Sequence, residues 1–367
     1  MSRRRIIYQS QDLFVSPTGG SSPAQLFRIQ DSSLSVDVTR TDVNEFGKLA
    51  ALSREILEAP SVSTEFSYFL MDGENEKNLG FAIDGVTNCL SGILANDADI
   101  AEKNIYIVTV PEGYDAHGID ANTAGNTVIG IGNAFVSNYS VNLAVGEIPT
   151  ASVSMDASNV QFSSVTGVPN PAIRTDVQGT PTQLAGVINL PAGSTGTLSY
   201  AALRPGDLTM DFGDANFQFG GAKLPGMTGT ANESHVQSVS IEIPMSRTPQ
   251  QELGKSFAFS RELDVPITVT MNVSVNLADI TDGSLIDLIC SEETPRDIVI
   301  KLYNPCGSAD GDSALNMSFT LKGATLDSQS FSSSIGDNAT ADLTFSAQIG
   351  GANDALKGLF ISGVSNA

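Results

Sequence analysis

Three stretches of the chain alternate apolar and polar residues with a period of two. In "SLSVDV", Leu34, Val36 and Val38 alternate with Ser33, Ser35 and Asp37. In "SVSTEFSYFL", Val62, Thr64, Phe66, Tyr68 and Leu70 alternate with Ser63, Glu65 and Ser67. In "PITVTMNVSVNL", Ile267, Val269, Met271, Val273 and Val275 alternate with Thr268, Thr270, Asn272 and Ser274. Successive strand side chains point to opposite faces, so each stretch predicts a strand with one buried and one wet face. These strands are longer than the usual five or six residues. Helical spacing is rarer. "GSLIDLICSEE" places Leu285, Leu288 and Ile289 on one helical face with Ser284 as N-cap, predicting a short helix over 283–293. "TNCLSGILANDADIAE" (87–102) carries Leu90, Ile93 and Leu94 in the same way, with Gly92 as a weak point.

The alternating stretches flank a phrase that occurs twice. "RTDVNEFGKLAALSRE" (Arg40 to Glu55) matches "RTPQQELGKSFAFSRE" (Arg247 to Glu262) at nine of sixteen positions, without a gap, at offset 207. Upstream, "IQDSSLSV" aligns with "VQSVSIEI" at the same offset. Downstream, "AFVSNYSVNLAVGEIPTASVSM" aligns with "ATLDSQSFSSSIGDNATADLTF" at offset 190. The period is far longer than a solenoid or propeller repeat, which leaves a duplicated domain. In each copy the phrase lies between two strands, as the long loop of a hairpin, and long ordered loops are commonly functional. The expected division is a first domain over 1–160, a Pro-, Gly-, Ser- and Thr-rich linker or insertion over 161–206, a second domain over 207–350 and a tail over 351–367.

Composition narrows the class. At 367 residues the chain can bury two ordinary cores, and an apolar fraction of 41% is that of a folded protein. Charged residues are scarce at 16%, Trp is absent, and the net charge is −22. A nucleic-acid grip needs clustered Lys and Arg, so this balance argues against one. Cys89, Cys290 and Cys306 form no CxxC pair and read as reduced and structural. The basic start "MSRRR" has no apolar stretch behind it, so no secretory signal is expected. Arg3 to Arg5 read as a solvated arm or as an arm that docks on an acidic neighbour.

Catalytic chemistry has little to stand on, and the expectation is that the chain is not an enzyme and carries no cofactor or metal. His117 and His235 sit at non-equivalent places in the repeat. There is no GxSxG, HExxH or P-loop. Asp310 and Asp312 are spaced as in a calcium loop, but the closing Glu is missing, so an acidic turn is the expected reading. What both copies keep is charge in the repeated phrase: Arg40 and Arg247, Glu45 and Glu252, Lys48 and Lys255, Arg54 and Arg261, Glu55 and Glu262. Such pairs are either a contact that every copy makes or salt bridges that shape each loop.

The opening "MSRRRIIYQSQDLFVS", the block "NESHVQSVSIEIPMSRTPQQELGKSFAFSRELDVPITVTMNVSV" and the paired "VGEIPTASV" and "IGDNATADL" resemble the tail-tube proteins of long-tailed bacteriophages. The resemblance implies a mainly β fold: two tandem β-sandwich or partial-barrel tube domains, each with a short flanking helix and a long stacking loop. It implies a structural virion protein that assembles in the host cytoplasm and delivers DNA through a tube. With two domains per chain, a ring of six positions would need three chains, a homotrimer with pseudo-sixfold symmetry. The implied partners are further copies of the chain, the tape measure, terminator and distal tail proteins, and passing double-stranded DNA, with no membrane. The ten charged residues of the repeated phrase are then the expected ring-stacking set. Strand phase assigns Ser35, Asp37, Ser63, Glu65, Ser67, Ser240, Glu242, Thr268, Thr270 and Asn272 to the lumen. The alternatives are another virion ring protein, such as a tail terminator or decoration protein, or a secreted two-domain β-sandwich that binds ligands. A secreted sugar binder would be expected to display exposed aromatics, and with no Trp and seven Tyr the chain has few to offer.

Overall fold

The computed structural model describes residues 10–19, 23–95, 98–111, 113–117, 126–164, 168–175, 182–190, 203–211, 218–219, 222–223, 234–277, 295–304, 315–333 and 338–363. The helix expected over 283–293, the Asp310–Asp312 turn, Arg3 to Arg5, Cys290 and Cys306 lie outside these residues.

In chain order the first half contains β1 (Gln11–Pro17), β2 (Ala24–Leu26), β3 (Ile29–Asp37), β4 (Thr41–Val43), β5 (Ser53–Glu55) and β6 (Ser61–Phe69). It continues with α1 (Glu74–Leu79), α2 (Ser91–Leu94), α3 (Ala98–Ala101), β7 (Lys103–Thr109), β8 (Thr127–Ala144), β9 (Thr150–Ala157) and β10 (Asn159–Ser163). Short pairs follow: β11 (Val168–Pro169), β12 (Ile173–Arg174), β13 (Thr182–Gln183) and β14 (Val187–Ile188). The second half comprises β15 (Leu208–Asp211), β16 (Gln218–Phe219), β17 (Ala222–Lys223), β18 (Ser234–Pro244), β19 (Arg247–Gln250), β20 (Ser260–Leu263) and β21 (Thr268–Leu277). It ends with β22 (Arg296–Tyr303), β23 (Leu315–Ser332), β24 (Thr340–Gln348) and β25 (Gly358–Gly363). The chain is mainly β with little helix. No helix among the described residues is long and apolar enough to cross a membrane.

One succession of pairings occurs twice. In the first half β3 pairs β6, β6 pairs β9, and β9 pairs the C-terminal part of β8; in the second half β18, β21, β24 and β23 pair in the same order. The N-terminal parts of the long strands diverge from these sheets. That of β8 pairs β7 and β10, and that of β23 pairs β22 and β25. The two halves are fused by an antiparallel ladder between β8 and β18, running from Ser238↔Ala144 to Pro244↔Asn138. The eight strands β3, β6, β9, β8, β18, β21, β24 and β23 therefore make one continuous sheet.

The apolar phase of every one of these strands falls on one side. Val62, Phe66, Tyr139, Val141, Val153, Ile241, Ile243, Met271, Val273 and Phe345 are all buried in a single core that runs across both halves. Each such side chain contributes about 1.5–3 kcal/mol on burial, so the alternation read from the sequence supplies much of the driving force. Beneath this face lies α1, whose Glu76 is 1% exposed and accepts hydrogen bonds from the hydroxyls of Tyr68 (2.8 Å) and Tyr139 (3.0 Å) on one carboxylate oxygen. Burial pushes the Glu76 carboxyl up. α1 was not legible from spacing. Within 87–102 the described residues form two single-turn helices, α2 and α3, and a Cβ at Gly92 would stand 3.0 Å from Ile100 Cγ2.

The halves are also laced together at the C-terminal end. β25 lies on β23, and its other side meets the first half, where Gly85 N–H and Cys89 N–H donate to Ile361 O and Leu359 O, both at 2.8 Å. Between the halves, the part of 161–206 that is described straps onto the first. Asn133 Oδ1 accepts from Ile173 N–H (2.8 Å), and Asn170 Nδ2 donates to Thr18 O (3.1 Å). A Cβ at residue 132 would lie 2.3 Å from Pro171 O, so Gly132 is what lets this strap come down on β8. Val168 and Leu190 then join Phe14, Tyr106, Val108 and Val128 in a second apolar cluster.

Candidate interaction surface: a polar face, two open edges and two arms

The side of the eight-stranded sheet opposite the core is polar from edge to edge. Register places Ser35 opposite Ser63, Asp37 opposite Ser61, Ser33 opposite Glu65 and Asp31 opposite Ser67. Across the fusion ladder, Ser240 faces Asn142 and Glu242 faces Ser140; beyond it, Thr270 faces Ser346 and Asn272 faces Thr344. Thr268 faces Gln348 on the same phase. All ten residues assigned to a lumen by strand phase thus share one face. Side chains on it bond across strands: Asn138 to Glu242 (3.3 Å), Ser154 to Glu65 (3.4 Å) and Thr344 to Asn272 (3.0 Å). Carboxylates recur on this face at Asp31, Asp37, Glu65, Asp156, Glu242 and Asp342, while these strands place no Lys or Arg there.

The sheet ends in two edges. Among the described strands, β3 is paired by β6 alone, and the Thr325–Ser332 part of β23 is paired by β24 alone. Neither edge carries Lys, Arg or Pro, the residues that usually blunt an exposed strand. Both carry apolar side chains that the core does not cover: Val36 is 47% exposed and Phe331 is 49% exposed.

The repeated phrase folds twice into the same two-stranded arm. β4 and β5 pair with Thr41 opposite Glu55, and β19 and β20 with Thr248 opposite Glu262. Each turn is closed by a salt bridge of 2.8 Å, Lys48–Glu45 in one arm and Lys255–Glu252 in the other. Gly47 and Gly254 sit at φ +90° and +91°, in the left-handed region that favours glycine. The Glu and Lys of the repeat therefore bond within their own arm. What the tips present to solvent is apolar: Phe46 and Leu49 in the first arm and Leu253 in the second are fully exposed. The sequence carries that signal as an apolar residue between Glu and Gly-Lys in both copies.

The arms differ at their bases. In the first, Arg54 Nε is 2.7 Å from Asp42 Oδ1, both exposed, and Arg40 and Glu55 are exposed as well. In the second, the counterpart of Asp42 is Pro249, and the arginines turn to the other half of the chain. Arg247 lies over the Phe135 ring, 4.7 Å from its centre, and its Nη1 donates to Arg261 O at 2.9 Å. Arg261 lies in the field of Asp156 and Glu102. Burial pushes both guanidinium groups below their ordinary value, with nearby carboxylates opposing. The Glu102 carboxyl is itself pushed up by burial and accepts from Asn133 Nδ2. Glu262 accepts from Ser260 Oγ at 2.6 Å.

Of the remaining candidates, His117 is exposed and lies 3.1 Å from Gln25 Nε2, which also donates to Asp12 at 2.6 Å. His235 is exposed on β18. Cys89 is a buried free thiol, pushed up by burial.

Fold and surface together define a mainly β protein whose continuous eight-stranded sheet has one apolar and one anionic, hydroxyl-rich face. No family model matches the sequence, and no curated protein matches it. Among solved structures, the chain is similar to the SPP1 tail tube determined by solid-state NMR and cryo-electron microscopy, with a TM-score of 0.31 and 9% identity over 44% of this chain and 80% of that one.

Proposed function

We propose that the chain is a structural subunit of a phage tail tube, built by tandem duplication of one tube domain, in which three copies close a ring of six equivalent positions. The observation that carries this reading is the β8·β18 ladder. It joins the two halves through strands whose counterparts, β23 and β3, form the two open edges of the sheet. A surface that is complementary to another part of the same chain and leaves both ends free generates a closed ring or an open filament. Closure removes the unprotected edges.

The polar face suits the wall of a bore. Its carboxylates repel phosphate, and its eight strands contribute no cation to replace the counterions of DNA, so a duplex passes without being held. The two arms leave the sheet with apolar tips and act as the contacts between successive rings. Tape measure, terminator and distal tail proteins are the further partners this reading implies.

Negative-stain electron microscopy of the purified protein, with native mass measured on the same sample, tests the proposal. Rings or stacked tubes built on a trimeric mass are expected. A monomer that forms no ring at high concentration overturns it, and rings of six chains overturn the pseudo-sixfold arrangement.

A further inference from the structure

The internal ladder specifies how a second copy attaches. We propose that the β3 edge of one copy adds to the β23 edge of another in the register of the β8·β18 ladder, placing Leu34 opposite Phe331 and Val36 opposite Gln329. This rests on the ring reading above and fixes the chemistry of its seam.

The register follows from two offsets. β18 corresponds to β3 at 207, since Ser240 pairs Asn272 as Ser33 pairs Glu65. The C-terminal part of β8 corresponds to that of β23 at 190, since Phe135 pairs Asp156 as Thr325 pairs Ser346. Transferring Ile241↔Val141 and Ile243↔Tyr139 gives Leu34↔Phe331 and Val36↔Gln329. Transferring Ser240↔Asn142 gives Ser33↔Ser332 on the polar face. Each transferred pair keeps its face. Ile241, Ile243, Val141 and Tyr139 are buried, and Leu34, Val36 and Phe331 are the apolar side chains that the isolated chain leaves partly or largely open.

The two seams are nonetheless unlike in charge. At the internal seam Arg247 meets the Phe135 ring, and Arg261 lies in the field of Asp156. The counterparts of Phe135 and Asp156 are Thr325 and Ser346, which offer hydroxyls, and the first arm keeps Arg54 on its own Asp42. Both sides of the contact have changed together. The seam between copies is held by the backbone ladder and its apolar row, without the arginine clamp that fastens the seam within a chain.

Disulfide trapping tests the register. Ser33→Cys and Ser332→Cys are introduced together with Cys290→Ser and Cys306→Ser. Directly opposite residues lie about 4.5–5.5 Å apart between Cα atoms, inside the span a disulfide bridges. Within one chain the two positions sit on opposite edges of eight strands, seven spacings of about 4.8 Å away along the sheet, so a bond between them joins two copies. The expected result is a series of covalent multimers on mild oxidation, dispersed by reductant. Ser33→Cys with Ser330→Cys, displaced by two residues, is expected to give few or none. Multimers from the displaced pair, or none from either pair in samples that micrographs show as rings, overturn the register and leave the ring reading standing. Absence of any assembly in the reduced samples and in the wild-type protein overturns both.

Discussion

Arg247 on the second arm lies over the Phe135 ring of the first half, with its guanidinium carbon 4.7 Å from the ring centre. These residues are 112 positions apart in sequence, and their contact ties the base of an exposed arm to the sheet it leaves. Cation–π contacts are worth about 0.5–2 kcal/mol, more where desolvated, and Arg247 is half-buried.

Arg247→Ala is therefore expected to lower stability by about 1–2 kcal/mol in urea unfolding, and Arg247→Lys to recover little, because an ammonium lacks the planar face that stacks. Arg54→Ala in the first arm removes only an exposed ion pair and is expected to change stability by less than about 1 kcal/mol. Equal losses from both substitutions would show that the second arm is not clamped.

The Glu76 carboxylate is the shared acceptor for two buried phenols. Glu76→Ala strands both hydroxyls, each at about 1–3 kcal/mol, and is expected to destabilise severely or prevent folding. Glu76→Gln keeps an acceptor oxygen and is expected to retain the fold with a modest loss. A thermal melt of the two variants side by side decides between them.

Asp12 predicts a pH dependence. Burial pushes its carboxyl up from 3.8 to about 6, against the hydrogen bonds from Leu13 N–H and Gln25. A carboxyl that holds its proton more tightly when folded favours the fold at low pH. That contribution is complete below about pH 4 and is lost as pH rises through about 6. A rise of this size corresponds to at most about 3 kcal/mol. Asp12→Asn is expected to flatten this part of the stability profile between pH 4 and 7. His117 also contacts Gln25, so the comparison is made a second time in a His117→Asn background.

The polar face predicts indifference to DNA. Ser140→Lys with Ser152→Lys places two cations opposite one another on adjacent strands. Assembled particles of this variant are expected to retain duplex DNA at low salt and release it as salt rises, while wild-type particles retain none. Retention by the wild type would contradict the conduit reading.

Phe46→Asp with Leu253→Asp alters the two arm tips, where side chains are fully exposed and folding is insensitive to the change. On the tube reading, rings of this variant still form but no longer stack, as seen by micrographs and sedimentation. Normal tubes from this variant would remove the arms from the stacking contact.

Period-two alternation determined a great deal by itself, because burying one face of a strand forces every second side chain to the same side. The long strands, the polar phase from Ser35 to Asn272 and the equivalence of the two arms were all legible from the sequence. So was the apolar position between Glu and Gly-Lys, though its exposure was not. Other features depend on contacts between residues far apart in sequence. Pairing of β8 with β18 decides that two similar halves share one sheet and leaves β3 and β23 as its edges. Replacement of Asp42 by Pro249 reads in the sequence as mere divergence. Only the fold shows that Arg261, with no aspartate on its own arm, lies in the field of Asp156 while Arg247 rests on Phe135. Likewise α1 carries no periodic signal in its six residues. Its place is set by Glu76, which reaches two tyrosines that only the folded sheet brings together.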